Sequence, residues 1–190
     1  MERNYIEDKL FEKVDFTDKT IAIGEYDNCR FVNCNFSNAD LSDLHFSECE
    51  FSGCNISTVK MMKTAFKNVH FIDCKMTGLH FEQCSDFLFE VGFDACVLDL
   101  SSFYKVKLKK TVFKNCRLQE VDFVEADLTQ ASFENCDLQG AVFESTILEK
   151  TDFRTAYNYS MDPGMNKLKK AKFSLPAVTG LLHKYEIEIS

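Results

Sequence analysis

Tryptophan is absent from this 190-residue chain, proline occurs twice and glycine only seven times. Both prolines, Pro163 and Pro176, lie near the C-terminus. The long stretch before them therefore keeps every backbone N–H, as a chain built on hydrogen-bonded ladders requires. The scattered glycines form no phosphate-cradling loop, which argues against a nucleotide-binding site. No run approaches the roughly eighteen apolar residues of a membrane span. Glu2, Arg3, Asn4, Glu7 and Asp8 interrupt any apolar segment near Met1, so a secretory signal is not expected and a cytoplasmic location is. The nine cysteines form no CxxC pair and are odd in number. In a reducing compartment they are expected to be free, buried thiols and not a disulfide or metal framework. The four histidines do not converge with a nucleophile and an orienting group. A non-enzyme with no cofactor and no metal is expected.

What the chain has is phenylalanine at a fixed spacing. From Phe11 through Phe16, Ile21, Tyr26 and Phe31 to Phe81, every fifth residue is large and apolar. After a slip of two residues, the same spacing runs from Phe93 through Leu98 and Phe103 to Phe153. All nineteen phenylalanines except Phe87, Phe89 and Phe173 occupy this column. Two residues before each centre sits a small side chain, as at Cys29, Cys34, Ala39, Val121, Ala126 and Ala131. Five is neither the helical period of about 3.6 nor the strand period of 2. It is the period of a coil that turns a corner every five residues and points one large and one small side chain inward at each turn.

The repeated unit, seen in Ala39-Asp40-Leu41-Ser42-Asp43, Ala126-Asp127-Leu128-Thr129-Gln130 and Cys136-Asp137-Leu138-Gln139-Gly140, resembles the motif of the pentapeptide repeat family. The resemblance covers roughly residues 9–155. It implies an all-β, right-handed quadrilateral β-solenoid with four pentapeptides per coil. The all-Phe column Phe11, Phe31, Phe51 and Phe71 agrees with a twenty-residue coil. About seven coils are expected, a tube on the order of 34 Å long at about 4.8 Å per layer.

Five segments follow. Residues 1–10 are expected to cap the N-terminal end, with Lys9 and Lys19 at small-residue positions marking an imperfect first coil. Residues 11–84 and 93–155 are two runs of coils. Residues 85–92 hold the frame slip, either as a local bulge or as a rotation of the later coils. There Phe87 and Phe89 are expected to wedge over the misfit, with an exposed contact as the alternative. Leu44 and Leu79, oversized for the small column, should bulge the wall. In residues 156–190, Ser174-Leu175-Pro176 reads as the start of a helix of about ten residues. Glu186-Ile187-Glu188-Ile189 alternates like a strand.

That tail, from Met161-Asp162-Pro163 through Asn166-Lys167-Leu168 to Gly180-Leu181-Leu182, is similar to the C-terminal module of Qnr-type bacterial pentapeptide proteins and of the microcin B17 immunity group. The resemblance implies a homodimer joined through this module. Phe173, Leu175, Val178, Leu181, Leu182, Ile187 and Ile189 are the candidate interface. It also implies a possible partner, DNA gyrase or topoisomerase IV, shielded from quinolones or toxins by imitation of duplex DNA. Unlike many Qnr proteins, this chain carries no long inserted loop. A rigid scaffold with an unrelated partner is the alternative.

The charge is banded. Residues 1–50 carry twelve acids and five bases, and residues 111–153 carry nine acids and three bases. Residues 51–110 are slightly basic. The second acidic band spans about 10 Å of tube, over which a DNA duplex carries about six charges. Glu120, Asp122, Glu125, Asp127 and Glu144 are the candidate partner-binding surface. No continuous basic stripe with aromatics points to direct nucleic-acid binding.

Overall fold

Each five-residue unit contributes one short extended segment and one corner, and the computed structural model shows the result for residues 4–17 and 19–188. Two faces of the tube are regular enough to form sheets, both wholly parallel. The first stacks β1 (Asn4–Glu7), β3 (Gly24–Asp27), β5 (His45–Ser47) and β7 (Ala65–Lys67). The second stacks β2 (Leu10–Glu12), β4 (Arg30–Val32), β6 (Glu50–Ser52), β8 (Val69–Ile72), β9 (Val91–Asp94), β10 (Val112–Lys114) and β11 (Ser132–Glu134). Phe11 lies over Phe31, Phe31 over Phe51 and Phe51 over Phe71, which fixes the coil at twenty residues. The strand-paired stack spans six inter-coil steps, and the bridges Ser132–Asp152 and Asp152–Lys172 carry the same face two steps further. The other two faces are joined by single bridges such as Asp122–Val142 and Arg117–Asp137.

The core is a pile of rings. Phe31 and Phe51 stack at 4.6 Å and 9°, and Phe113 and Phe133 at 4.9 Å and 2°. Rings on adjacent faces meet edge-on, as Phe123 and Phe133 do at 5.8 Å and 82°. Each such pair contributes about 0.5–1.5 kcal/mol beyond burial. The small inward residues close the wall and also satisfy it. Thr146 Oγ1 donates to the carbonyl of Phe123 at 2.9 Å, and Cys54 Sγ donates to that of Phe31 at 3.3 Å. All nine cysteines are free, and all but Cys84 are buried. Burial pushes the Cys49 thiol up to about 12. Leu44 and Leu79 are fully buried. Leu44 sits in its column between Gly24 and Thr64, and Leu79 between Val59 and Ser101.

The corners use left-handed backbone. Asn28, Asn33, Asn38, Asn115 and Asn135 have φ between 49° and 58°. Gly53, Gly78 and Gly140 occupy equivalent corners at 64–71°. The N–H of each corner residue reaches the next coil, as Asn115 N does to the carbonyl of Glu134 at 2.7 Å.

The frame slip is a bulge and not a rotation. Phe71 pairs directly with Phe93, and Phe81 stacks on Phe103 at 4.3 Å. The two extra residues are absorbed within one face. Phe89 turns inward, edge-on to Phe66 and Phe81 at 6.4 Å each. Phe87 stays outside at 74% exposure, so only one of the two rings acts as a wedge.

Both ends differ from expectation. Asn4–Glu7, expected within a cap, pair in register as the first rung of the solenoid. At the other end the repeat continues past Phe153: Phe173 stacks on it at 5.4 Å and 1°, and Lys167 bridges Ile147. The expected ten-residue helix is instead two single 3-10 turns, Val178–Leu181 and His183–Tyr185. Pro176 lies just before them, and Glu186 ends the second with φ of 50°. Glu186–Glu188 forms no strand, and Ile189 lies outside the described residues. The turns fold back so that the Gly180 carbonyl accepts from Met161 N at 3.1 Å. A Cβ on Gly180 would lie 2.2 Å from the Tyr159 carbonyl oxygen.

Candidate partner-binding surface

The five candidate carboxylates occupy two kinds of position, and their chemistry differs accordingly. Glu120 and Glu125 sit at corners, with φ of 55° and 57°, and project from the edges of the tube. Asp122 and Asp127 precede the centres Phe123 and Leu128 and lie flat on neighbouring faces. Glu144 is exposed one coil further on, where its carbonyl accepts from Glu125 N at 2.9 Å.

The two aspartates are partly structural. Asp122 Oδ1 accepts from Val124 N at 2.8 Å. Asp127 Oδ1 accepts from Thr129 N at 3.1 Å and from Thr129 Oγ1 at 2.6 Å. Partial burial opposes ionisation of Asp127, but Thr129 and Lys109 outweigh it and hold the carboxyl below its usual range. Two candidates are neutralised by the coil below. Lys109 Nζ lies 3.2 Å from Asp127 Oδ2, and Lys105 Nζ lies 3.5 Å from Glu125 Oε2. Tyr104 Oη also donates to Glu125 Oε1 at 3.2 Å. Among the described residues, Glu120, Asp122 and Glu144 have no ion pair, so the uncompensated acidity gathers on the Phe123 face and its corner. The sequence shows Lys105, Lys107, Lys109 and Lys110 interrupting the acidic surface immediately below, and the coil stacking shows which acids two of them meet. The twenty-residue offset between Lys105 and Glu125 was the available signal.

The candidate dimer residues are spread over the C-terminal end. Leu175 is 89% exposed and Ile187 57%. Val178, Leu181 and Leu182 are half-buried on the two turns. Phe173 is half-buried as the last rung of the aromatic column, with Tyr159 tilted against it at 5.7 Å. The Tyr159 hydroxyl is buried there with no hydrogen-bond partner.

His45, His70 and His80 lie on different faces, and His80 Nδ1 is 2.8 Å from Glu82 Oε1. Among the described residues, no three of His, Cys, Asp and Glu group so as to hold a metal ion. No helix among them is long and apolar enough to cross a membrane.

A four-faced parallel solenoid packed with stacked rings offers its outer surface for recognition. The sequence matches the model of the pentapeptide repeat region over residues 25–85 and 87–157, and the chain belongs to the pentapeptide repeat family. The two matched stretches meet at the bulge. Among solved structures, it is similar to a trypsin-treated variant of QnrB1, a plasmid-mediated fluoroquinolone resistance protein. The two are 20% identical with a TM-score of 0.50, covering 98% of this chain and 100% of that one. It is also similar to HetL, a pentapeptide repeat protein involved in heterocyst differentiation regulation from the cyanobacterium Nostoc sp. strain PCC 7120. That match has 15% identity and a TM-score of 0.54, covering 92% and 90% of the two chains. At these identities the likeness is one of fold. No curated protein sequence matches the chain.

Proposed function

We propose that this protein is a non-enzymatic, cytoplasmic binder that shields DNA gyrase or topoisomerase IV from quinolones or toxins by presenting a rigid acidic rod in place of duplex DNA. The observation that carries this reading is the unpaired acidity of Glu120, Asp122 and Glu144 on a wall whose backbone is fixed by inter-coil hydrogen bonds. A rigid array of charge costs little ordering entropy when it docks. The fold likeness to a fluoroquinolone resistance protein supports the same reading. Tail-to-tail dimerisation through Leu175, Val178, Leu181, Leu182 and Ile187 would double the length of the rod.

The test is a gyrase supercoiling assay with ciprofloxacin, with and without the protein. Protection that falls steeply with salt is expected. Reversing Glu120→Lys and Glu144→Lys should abolish it while leaving the melt unchanged, since neither side chain has an ion pair to lose among the described residues. Asp122, Glu125 and Asp127 are poorer choices because each holds a turn or a lysine. A second reading, an interaction scaffold without topoisomerase activity, is favoured by the pairing of Glu125 and Asp127 with Lys105 and Lys109. It predicts neither protection nor gyrase binding at any salt concentration.

A further inference from the structure

One column of the wall is built from a single residue type. In six successive coils its small inward position is filled by Cys34, Cys54, Cys74, Cys96, Cys116 and Cys136 without a break. All six are buried, at 2% exposure or less. Size alone does not ask for this, because the equivalent column of another face holds Leu44, Thr64, Val106 and Ala126. The row also runs straight through the frame slip. Lys75 bridges Val97, and the two cysteines beside them keep equivalent acceptors. Cys74 Sγ donates to the Phe51 carbonyl and Cys96 Sγ to the Phe71 carbonyl, at 3.3 Å each. Cys34 N donates to Cys54 Sγ at 3.4 Å, so the sulfur of one coil reaches the backbone of the coil below.

The row repeats at the coil spacing, about 4.8 Å. That exceeds the Cβ···Cβ distance of about 3.8 Å that a disulfide needs, and parallel side chains do not close the gap. It matches two metal–thiolate bonds of about 2.3 Å laid end to end. A straight row offers one ion two sulfurs on opposite sides, and never the four ligands that tetrahedral zinc takes. Soft thiolates in linear two-coordination suit copper(I). We propose that the row binds copper(I), each ion held linearly between cysteines of adjacent coils. Ligands twenty residues apart leave no CxxC signature in the sequence. Each pair of thiols releases two protons as it takes one ion, and keeps one net negative charge that is costly to bury. An unbroken row lowers that cost, because a thiolate shared between two ions lets three sulfurs hold two ions at the same single charge. Hydrogen bonds from Cys54 and Cys96 hold the Cys74 thiol below its usual range, against burial, and those from Cys136 and Cys96 do the same for Cys116. The way in is the first coil, where Val14, next to Cys34 in the column, is only half-buried. The row lies inside the wall and uses none of the acidic surface.

The test is anaerobic titration of the reduced, full-length protein with copper(I) in competition with the chelator bicinchoninate. It is read by the absorbance of the chelator complex and by X-ray absorption at the copper edge. Retained copper with two sulfur neighbours and no third is expected. Two variants with equal thiol counts separate the row from nonspecific thiol binding, both in a Cys29→Ala background so that Cys49 has no stacked partner. Cys34→Ala/Cys54→Ala/Cys74→Ala leaves Cys96, Cys116 and Cys136 adjacent and should retain copper. Cys54→Ala/Cys96→Ala/Cys136→Ala leaves no two neighbours in the row and should lose it. Melts of both variants check that they fold, and the X-ray absorption of the wild type decides the coordination even if one does not. Equal retention by the two folded variants, or no retention by the wild type, would overturn the proposal. So would three or four sulfurs around the copper, or tighter binding of zinc than of copper(I).

Discussion

Phe123 is the residue on which the packing argument can be tested most directly. Its side chain is fully buried, stacked between Phe103 at 5.3 Å and Phe143 at 5.2 Å. Phe113 and Phe133 meet it edge-on at 6.1 and 5.8 Å. Its backbone has no freedom to follow a smaller side chain inward. Phe123 N donates to the Val142 carbonyl at 2.9 Å, and its own carbonyl accepts from Ala126 N at 3.1 Å and Thr146 Oγ1 at 2.9 Å. Phe123→Ala should therefore leave most of its cavity unfilled, at the upper end of the usual range, about 4–5 kcal/mol. At about 2–4 °C per kcal/mol for a chain of this size, the melting temperature should fall by roughly 10–20 °C. The assay is a circular dichroism melt beside Lys114→Ala and Glu134→Ala, exposed changes expected to stay within about 0.5 kcal/mol. A Phe123→Ala melt within a few degrees of wild type would mean that the column collapses freely, and the reasoning would fail.

Further outcomes follow from the wall, the bulge and the tail. One residue inserted between Asn115 and Cys116 should damage folding far more than one inserted between Asp86 and Phe87, measured by melts, because the bulge already absorbs two extra residues without shifting Phe93. Cys84 should be alkylated first among the nine cysteines when peptide mass spectrometry follows a time course on folded protein, though slowly, since burial pushes its thiol up to about 12. Asp152 is held below the usual carboxylate range by hydrogen bonds from Arg154 and by Lys172, against partial desolvation. A depressed native pKa stabilises above the unfolded value and is lost as pH falls through the native one. Asp152→Asn should therefore flatten the loss of stability below about pH 4 relative to wild type. Deleting residues 174–190 should convert a dimer into a monomer or an aggregate, and light scattering that finds the intact chain monomeric at tens of micromolar would refute the tail-to-tail arrangement.

The solenoid was legible because its core rule is local. One large and one small inward residue per five is visible without knowing which coil lies above which, and the coil length came from the family resemblance, with which the all-Phe column agrees. Another signal lay unread: Asn28, Asn33, Asn38, Gly53, Gly78 and Gly140 share one register, and it is the register of the left-handed corners. The ends were harder because no repeat constrains them. Phe173 continues the column only because residues 154–172 make one more, less regular circuit, in which Tyr159 and not Asn158 turns inward. The tail stripe of Val178, Leu181 and Leu182 fits a helix by spacing. A segment that short has little intrinsic helicity, and the close approach of Gly180 to Tyr159 draws it into tight turns against the end of the tube.

The candidate surface was only half legible, for a reason inherent in the fold. In each pentapeptide two side chains are committed to the core and three face outward, and nothing in the core rule constrains those three. Whether an outward carboxylate is free or neutralised depends on what stands twenty residues away, one coil below. Glu120 and Glu125 look alike in sequence, both at corners of the acidic band. Among the described residues one has no ion pair, while the other faces Lys105 at 3.5 Å. The surface is thus a two-dimensional charge lattice with a five-residue step along the chain and a twenty-residue step along the tube.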